Sequence, residues 1–285
     1  MIKKSTMRRI RLLSFIVMLA VSGLYIMNKR IQYNRYDRSL PEISFEQDVL
    51  NVSVKATEKD LLKGVTATDK KDGDITDTII IESMSNLLEN NERIVTYVAF
   101  DNDNHVGKAE RRIRYTDYEK IRFSLDAPLG SNVSGDATLE QILAPLHAID
   151  SIDGDISDQI ILVDSYWTIT NAGYDVATYT VQVTNSCGQV EELTLSFKEM
   201  ASGQQYGSNA EITLTDYLIY AKVGDQIHPR TYVESVTSNG YEYDMDYVNV
   251  ETDLDTTKPG TYTITYTFTY NNRFAACDLI VVVEE

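Results

Sequence analysis

Residues 69–81 read DKKDGDITDTIII, and residues 150–162 read DSIDGDISDQIIL. The two stretches share the pattern Asp-x-x-Asp-Gly-Asp-Ile-Ser/Thr-Asp-x-Ile-Ile. Self-similarity at a fixed spacing is the signature of tandem repeats, in which each repeat is one structural unit. Asp-Gly supplies a residue that accepts a positive φ angle and therefore indicates a tight turn. The sequence thus predicts two related modules, each with the same turn leading into a strand.

Alternating segments follow each copy of the motif, at residues 95–100 and 179–183. A third unit lacks the motif, but in residues 259–268 Thr alternates with Tyr, Ile and Phe. A period of two residues is typical of a half-buried strand, and short strands at regular spacing are typical of antiparallel β-sandwiches. The predicted fold class is all-β, with three tandem sandwich modules. We place them at residues 41–118, 119–200 and 208–285, with the polar residues 201–209 as a linker.

The N-terminal segment carries a different signal. Residues 1–11 are basic, residues 12–27 form an apolar run without charge, and Asn28, Lys29 and Arg30 close it. This length suits either an uncleaved membrane anchor or the core of a signal peptide cleaved after the small-x-small residues Ala20-Val21-Ser22. We favour an anchor, with residues 1–31 as cytoplasmic tail and transmembrane helix. Five basic residues precede the apolar run and four follow it, so the positive-inside rule favours a cytoplasmic N-terminus only weakly.

Two motifs resemble a known family. Residues 64–76 read GVTATDKKDGDIT, which resembles the bacterial Ig-like domain first described in pesticidal crystal proteins. Residues 258–266, KPGTYTITY, are similar to a related bacterial Ig-like repeat. The resemblance implies three immunoglobulin-like β-sandwich modules in a surface protein, where such modules serve as spacers, stalks or adhesion domains. The sequence departs from the family pattern where Asn185 and Tyr270 stand at the position of Asp101.

Charge is unevenly distributed along the chain. Of 26 Lys and Arg and 43 Asp and Glu, residues 1–38 hold nine basic residues and one acid, which leaves a net charge of −25 from residue 39 onward. Nucleic-acid binding needs a basic surface, so this composition argues against a nucleic-acid partner. An acidic, β-rich body behind a membrane segment is typical of an exported ectodomain.

The repeated aspartates have two interpretations. In the first, they cap the backbone of a turn. In the second, they hold calcium, a hard cation that takes six to eight oxygen ligands. The spacing is not that of an EF-hand, because Thr68 and Ile79 would occupy its first and last ligand positions. The candidate calcium ligands are Asp69, Asp72, Asp74 and Asp101 in the first module and Asp150, Asp153 and Asp155 in the second.

The last module is rich in tyrosine, and residues 241–247 read YEYDMDY. One interpretation is a strand with an aromatic inner face. The other is an exposed aromatic and acidic patch that binds a glycan or protein ligand, since Tyr is a favoured contact residue. The candidate ligand-binding residues are Tyr241, Tyr243 and Tyr247.

Catalytic signatures are missing from the sequence. None of the three histidines, His105, His147 and His228, lies in a metal-ligand spacing, and neither a nucleophile motif nor a phosphate loop occurs. The two cysteines, Cys187 and Cys277, are too few for a disulfide framework and are either free thiols or one long-range bridge.

The sequence therefore predicts a non-enzymatic stalk or adhesion-type protein, single-pass in the cell membrane, with its C-terminal region extracellular. The alternative is a carbohydrate- or cell-wall-binding module that uses the tyrosines of the last domain. The expected partners are the membrane through the N-terminal helix, and a cell-wall glycan or an extracellular protein. No certain cofactor is expected apart from the calcium considered above.

Overall fold

The computed structural model describes residues 4–35, 39–129, 138–169, 175–199, 210–271 and 273–285. The predicted linker at 201–209 lies outside the described residues. After one N-terminal helix the described chain is built mostly from β-strands, which confirms the all-β fold class.

Helix α1 (Lys4–Arg35) contains the apolar run. Its span Met7–Ile31 is 25 residues long and apolar enough to cross a membrane, and none of its apolar window is buried by the rest of the chain. At 1.5 Å per residue this span measures roughly 37 Å, enough for a hydrocarbon core about 30 Å thick. The helical span is longer than the apolar run at residues 12–27 because flanking residues continue the helix at both ends.

The first module has two sheets. Its elements are β1 (Glu42–Phe45), β2 (Val49–Val52), α2 (Glu58–Leu61), β3 (Val65–Asp69), β4 (Gly73–Asp74), β5 (Ile80–Met84), β6 (Glu92–Phe100) and β7 (Val106–Tyr115). One sheet has the order β1-β3-β4 and the other β2-β7-β6-β5. Residues of β3 alternate between buried and exposed, as the period-two pattern predicts, and Val65 and Ala67 point to the core.

The second module repeats this plan. Its elements are β8 (Arg122–Leu125), α3 (Leu139–Leu143), β9 (Leu146–Asp150), β10 (Gly154–Asp155), β11 (Ile161–Ile169), β12 (Asp175–Thr184) and β13 (Val190–Glu199). The sheets have the orders β10-β9-β8 and β11-β12-β13. All strand pairs in these two sheets are antiparallel.

The third module consists of β14 (Ala210–Leu214), β15 (Leu218–Lys222), β16 (Val233–Ser238), β17 (Tyr241–Glu242), β18 (Val248–Thr252), β19 (Gly260–Tyr270) and β20 (Arg273–Glu284). Its sheets have the orders β14-β16-β17 and β15-β20-β19-β18, and β15 runs parallel to β20. Tyr266 and Phe268 of β19 are fully buried in the core, as their shared strand parity predicts.

Contacts divide the chain into two compact units. The first comprises Met1–Asn51, Ala56–Ser85 and Arg93–Arg114, and the second comprises Val52–Lys55, Asn86–Glu92 and Tyr115–Glu285. The second and third modules therefore lie in one unit. Leu218 and Ile280 of the third module belong to the same buried cluster as Phe123 and Leu146 of the second, so these two modules share a hydrophobic core.

Candidate functional site

The first aspartate of each motif caps the turn that the motif builds. In the first module Asp69 is buried, and its Oδ1 accepts hydrogen bonds from the backbone N–H groups of Lys71 at 2.7 Å and Asp72 at 3.0 Å. In the second module Asp150 accepts from the N–H groups of Ile152 and Asp153 in the same way, at 2.8 and 2.9 Å. A short side chain that bonds backbone two and three residues on is the mechanism by which Asp favours turns.

The third aspartate of each motif supports the short 3₁₀ helix that follows it. Asp74 accepts from the N–H of Thr76, and Asp155 from the N–H of Ser157, both at 3.0 Å. Hydrogen bonds from the hydroxyl groups of Thr76 and Ser157, together with these N–H bonds, lower the pKa of the Asp74 and Asp155 carboxyl groups. Gly73 and Gly154 adopt positive φ angles of 77° and 79°. The prediction of a tight turn at each Asp-Gly pair is therefore confirmed in both modules.

The second aspartate reaches a neighbouring hairpin loop. Asp72 accepts from the N–H of Asn102 at 3.0 Å in the first module. Asp153 accepts from the N–H of Ser186 at 2.6 Å and from its hydroxyl at 2.7 Å in the second. The motif therefore fixes a long-range loop contact as well as a local turn, which the sequence analysis did not foresee.

The hairpin loops differ at one position between the modules. Asp101 is buried, accepts from the N–H of His105 at 2.7 Å and lies 2.6 Å from the His105 ring nitrogen Nδ1. Asn185 is buried as well, but its amide donates to Asp150 at 3.0 Å. An amide can donate and accept at once, whereas an ionised carboxylate only accepts.

The structure thus shows all seven predicted calcium ligands in or beside the two turns, where each accepts hydrogen bonds from backbone groups or neighbouring side chains. Among the described residues no group of three or more Asp, Glu, His or Cys side chains converges so as to hold a metal ion. Calcium binding stays a prediction. Calorimetric titration of Ca²⁺ tests it, with saturable heat that is lost in Asp72→Ala as the supporting result.

A second candidate is an aromatic cluster at one edge of the third module, formed by Tyr243, Tyr247, Phe268 and Tyr270. The Tyr243 ring lies 5.1 Å from Phe268, 5.4 Å from Tyr270 and 6.5 Å from Tyr247 between centroids. Tyr247 and Tyr270 are 5.2 Å apart in an edge-to-face arrangement. These distances lie in the favourable range for aromatic pairs.

Arg273 joins this cluster from the start of β20. Its guanidinium carbon lies 5.9 Å from the Tyr243 ring centroid, and its Nη1 donates to the Tyr243 hydroxyl. Arg273 and Tyr270 are direct cross-strand partners in the hairpin between β19 and β20. The sequence analysis missed both residues, although the polar Asn271 after a long alternating strand was a usable signal for a hairpin that pairs them.

The interpretation of residues 241–247 as one strand is wrong. Strand β17 ends at Glu242, and Asp244 begins a 3₁₀ helix over Met245–Tyr247 by accepting from the N–H of Asp246. The break separates the tyrosines. Tyr243 is partly buried against the core, whereas Tyr241 is 71% exposed and Tyr247 is 49% exposed. The cluster therefore has an anchored inner ring, Tyr243, and a solvent-facing ring, Tyr247, while Tyr241 lies exposed on the preceding strand.

Both cysteines are free and buried, so the structure favours free thiols over a bridge. Cys187 closes the hairpin loop of the second module, where its N–H donates to Asn185. Burial raises the pKa of the Cys277 thiol to about 12.

Comparison with known proteins gives no family assignment. No protein-family model matches the chain. No curated protein matches it either.

Several solved structures are similar to this chain at low identity. One is the structure of CBM51-2 in complex with GlcNAc and INT domains from Clostridium perfringens ZmpB, with 19% identity over 51% of this chain and a TM-score of 0.22. Another is the lipoprotein BT2262 from Bacteroides thetaiotaomicron, with 13% identity over 85% of this chain and 98% of that chain and a TM-score of 0.20. A third is human CDH23 EC21-23, with 10% identity over 86% of this chain and all of that chain and a TM-score of 0.21.

This chain spans about a third of the ZmpB chain, with 30% covered. TM-scores at this level carry no argument about fold or function. The architecture of the protein rests on its own strands, and its resemblance to bacterial Ig-like domains rests on the motifs at residues 64–76 and 258–266.

Proposed function

We propose that this protein is a membrane-anchored, extracytoplasmic stalk or adhesion-type protein without catalytic activity. The observation that carries the proposal is the apolar span Met7–Ile31, none of whose apolar window is buried against the protein. An apolar surface of this length needs a bilayer or another apolar partner, because water solvates it poorly. The first strand of the β-modules, β1, begins at Glu42, eleven positions after Ile31.

The use of the motif side chains supports a structural role for the modules. The aspartates at positions 69, 72, 74, 150, 153 and 155 accept hydrogen bonds that form turns and hold loops together. Residues used in this way serve the architecture of each module, as expected of a stalk or adhesion domain.

Membrane fractionation with protease protection tests the anchoring and the orientation. We expect the full chain to stay in the membrane after alkaline carbonate extraction, and protease added outside intact cells to remove the β-modules. A chain found in the medium at the mass expected for cleavage after Ser22 would identify the helix as a signal peptide. Protection of the modules in intact cells, with degradation after lysis, would reverse the orientation.

We propose a second function on the basis of the aromatic cluster, which is binding of a carbohydrate or cell-wall glycan by the third module. Tyr241 and Tyr247 present aromatic surface to solvent, and Tyr243, Tyr270 and Arg273 hold the Tyr247 side of the cluster in place. Sugar rings stack on exposed aromatic faces, and the phenol hydroxyl adds a polar contact.

Co-sedimentation of the protein with insoluble peptidoglycan, and titration with GlcNAc oligomers, test this second function. The expected result is saturable binding that falls at least tenfold in Tyr247→Ala and in Tyr241→Ala. Phe100→Ala is the matched control, because Phe100 is a 38% exposed aromatic residue of the first module. Equal loss in all three variants, or no binding by the unaltered chain, would remove the glycan hypothesis and leave the stalk proposal untouched.

A further inference from the structure

Strand β11 is exposed along almost its whole length. Each residue from 161 to 168 has more than a third of its surface open to solvent. Five of these residues are large and apolar, with exposed fractions of 56% for Ile161, 37% for Leu162, 51% for Val163, 51% for Tyr166 and 54% for Trp167. A strand that buries neither face is unusual, because even edge strands normally pack one face on a core.

Within the described part of the chain, β11 pairs only with β12 and forms one edge of its sheet. Natural proteins usually protect such an edge with charges or by keeping it short. Asp164 is the only charged residue among the nine of β11, whereas the edge strands β5 and β18 of the other modules have five residues each. The backbone groups along this edge are satisfied best by another strand.

We propose that β11 pairs with β11 of a second copy of this chain, in an antiparallel arrangement that joins two three-stranded sheets into one of six strands. Pairing of a strand with itself about a twofold axis is closed and self-complementary, which is the commonest geometry of protein dimers. A twofold axis perpendicular to the sheet pairs each residue with a residue of the second copy whose side chain lies on the same face. Because side chains alternate between faces along a strand, the numbers of two paired residues differ by an even amount.

The sequence of β11 favours a register centred on Tyr166. A β-bulge lies between Leu162 and Asp164, and pairing with β12 is regular from Asp164 onward. In this register Tyr166 lies opposite itself and Asp164 lies opposite Thr168, so no like charges oppose each other and a hydroxyl meets the carboxylate. Trp167 lies on the other face of the sheet. It is diagonal to Trp167 of the second copy, at a separation that large aromatic side chains can bridge.

The area available for pairing sets its strength. A Tyr or Trp buries about 150–250 Å² when fully covered, so the half-exposed pair of Tyr166 and Trp167 offers on the order of 200 Å² per copy. Of the exposed aliphatic side chains only Val163 lies within the paired residues in this register, so with the backbone edge the total stays below the roughly 1,200–2,000 Å² of stable interfaces. Pairing is therefore weak for free molecules and effective where a tether raises the local concentration, which rests on the proposed membrane anchoring.

Cysteine cross-linking of the full chain in liposomes tests this inference. In Tyr166→Cys the two introduced thiols face each other across the axis, at a Cα separation of about 4.5–5.5 Å that permits a disulfide. The native Cys187 and Cys277 are buried and leave little background. Ser83→Cys is the matched control, because Ser83 is an exposed residue of the corresponding edge strand β5.

We expect mild oxidation to convert Tyr166→Cys to a disulfide-linked dimer at least fivefold more than Ser83→Cys, and Trp167→Lys in the same background to abolish the excess. Equal cross-linking of the two cysteine variants would overturn the proposal. Retention of the excess in the Trp167→Lys background would overturn it as well, since the cross-linking would then not depend on the surface of β11. Carbonate extraction of the same liposomes separates a failure of pairing from a failure of anchoring.

Discussion

The contact between the second and third modules includes a hydrogen bond to one tyrosine hydroxyl, and removal of that hydroxyl has a predictable effect. Tyr220 lies on β15 of the third module, and its hydroxyl accepts a hydrogen bond from the backbone N–H of Phe123 in the second module at 2.8 Å. The guanidinium of Arg122 lies 4.2 Å from the Tyr220 ring centroid, and its Nη1 is 2.6 Å from the Glu284 carboxylate. Phe123 belongs to β8, an edge strand of its sheet among the described residues.

Tyr220→Phe removes the acceptor and keeps the ring that carries the packing and the cation–π contact. The Phe123 N–H, which is part-buried, then has no hydroxyl to bond. A buried donor left without its acceptor costs about 1–3 kcal/mol. A loss of about 1–2 kcal/mol of local protection corresponds to roughly 5–30-fold faster amide exchange.

Hydrogen–deuterium exchange followed by mass spectrometry measures this locally, which is an advantage because unfolding of a chain with several modules is not two-state. We expect faster exchange in peptides that contain Phe123, and no change in peptides from β6 and β7 of the first module. Tyr241→Phe is the control, since that tyrosine is 71% exposed. If Phe123 exchanges at the same rate in Tyr220→Phe as in the control, then the hydroxyl contact does not couple the two modules.

Three further predictions concern single side chains. Arg111→Ala should destabilise the first module by about 1–3 kcal/mol, measured as faster hydrogen exchange in peptides of β6 and β7, because the buried guanidinium donates to the carbonyls of Leu61 and Lys63. Burial raises the pKa of Cys277 to about 12, so its thiol should resist alkylation at pH 8 until denaturant is added, as thiol counting would show. The pKa of Asp155 is lowered by its hydrogen bonds to Ser157, so its stabilising contribution is present above about pH 4 and lost at lower pH. Melting curves of Asp155→Ala and the unaltered chain should therefore differ at pH 5 and begin to converge only as the pH falls below about 4.

Much of the fold could be predicted from local patterns, because the signals that place strands and turns are local. The Asp-Gly pairs gave both motif turns, since only a residue such as Gly73 or Gly154 accepts the positive φ angle there. The Thr/Tyr/Phe alternation of β19 gave the buried positions of Tyr266 and Phe268. These features depend on a residue and its near neighbours, which the sequence shows directly.

The parts that could not be predicted depend on contacts between distant segments. The break after Glu242 is set by Asp244 acting as a helix cap, in competition with a strand that the alternation of Tyr and acidic residues also supports. The contribution of Arg273 to the aromatic cluster follows from its pairing with Tyr270 across a hairpin. The exposure of Trp167 depends on which elements cover the sheet, and no local pattern encodes that.

The two copies of the motif show how one scaffold is adapted by a single exchange in a partner loop. In the second module Asn185 accepts from the N–H groups of Cys187 and Gln189 while its amide donates to the buried Asp150, so the turn and the hairpin are joined without a second charge. In the first module Asp101 takes the same place with a carboxylate, which cannot donate, and the ring of His105 contacts it instead. The same backbone framework thus carries an amide link to the turn in one module and a contact between a carboxylate and an imidazole ring in the other.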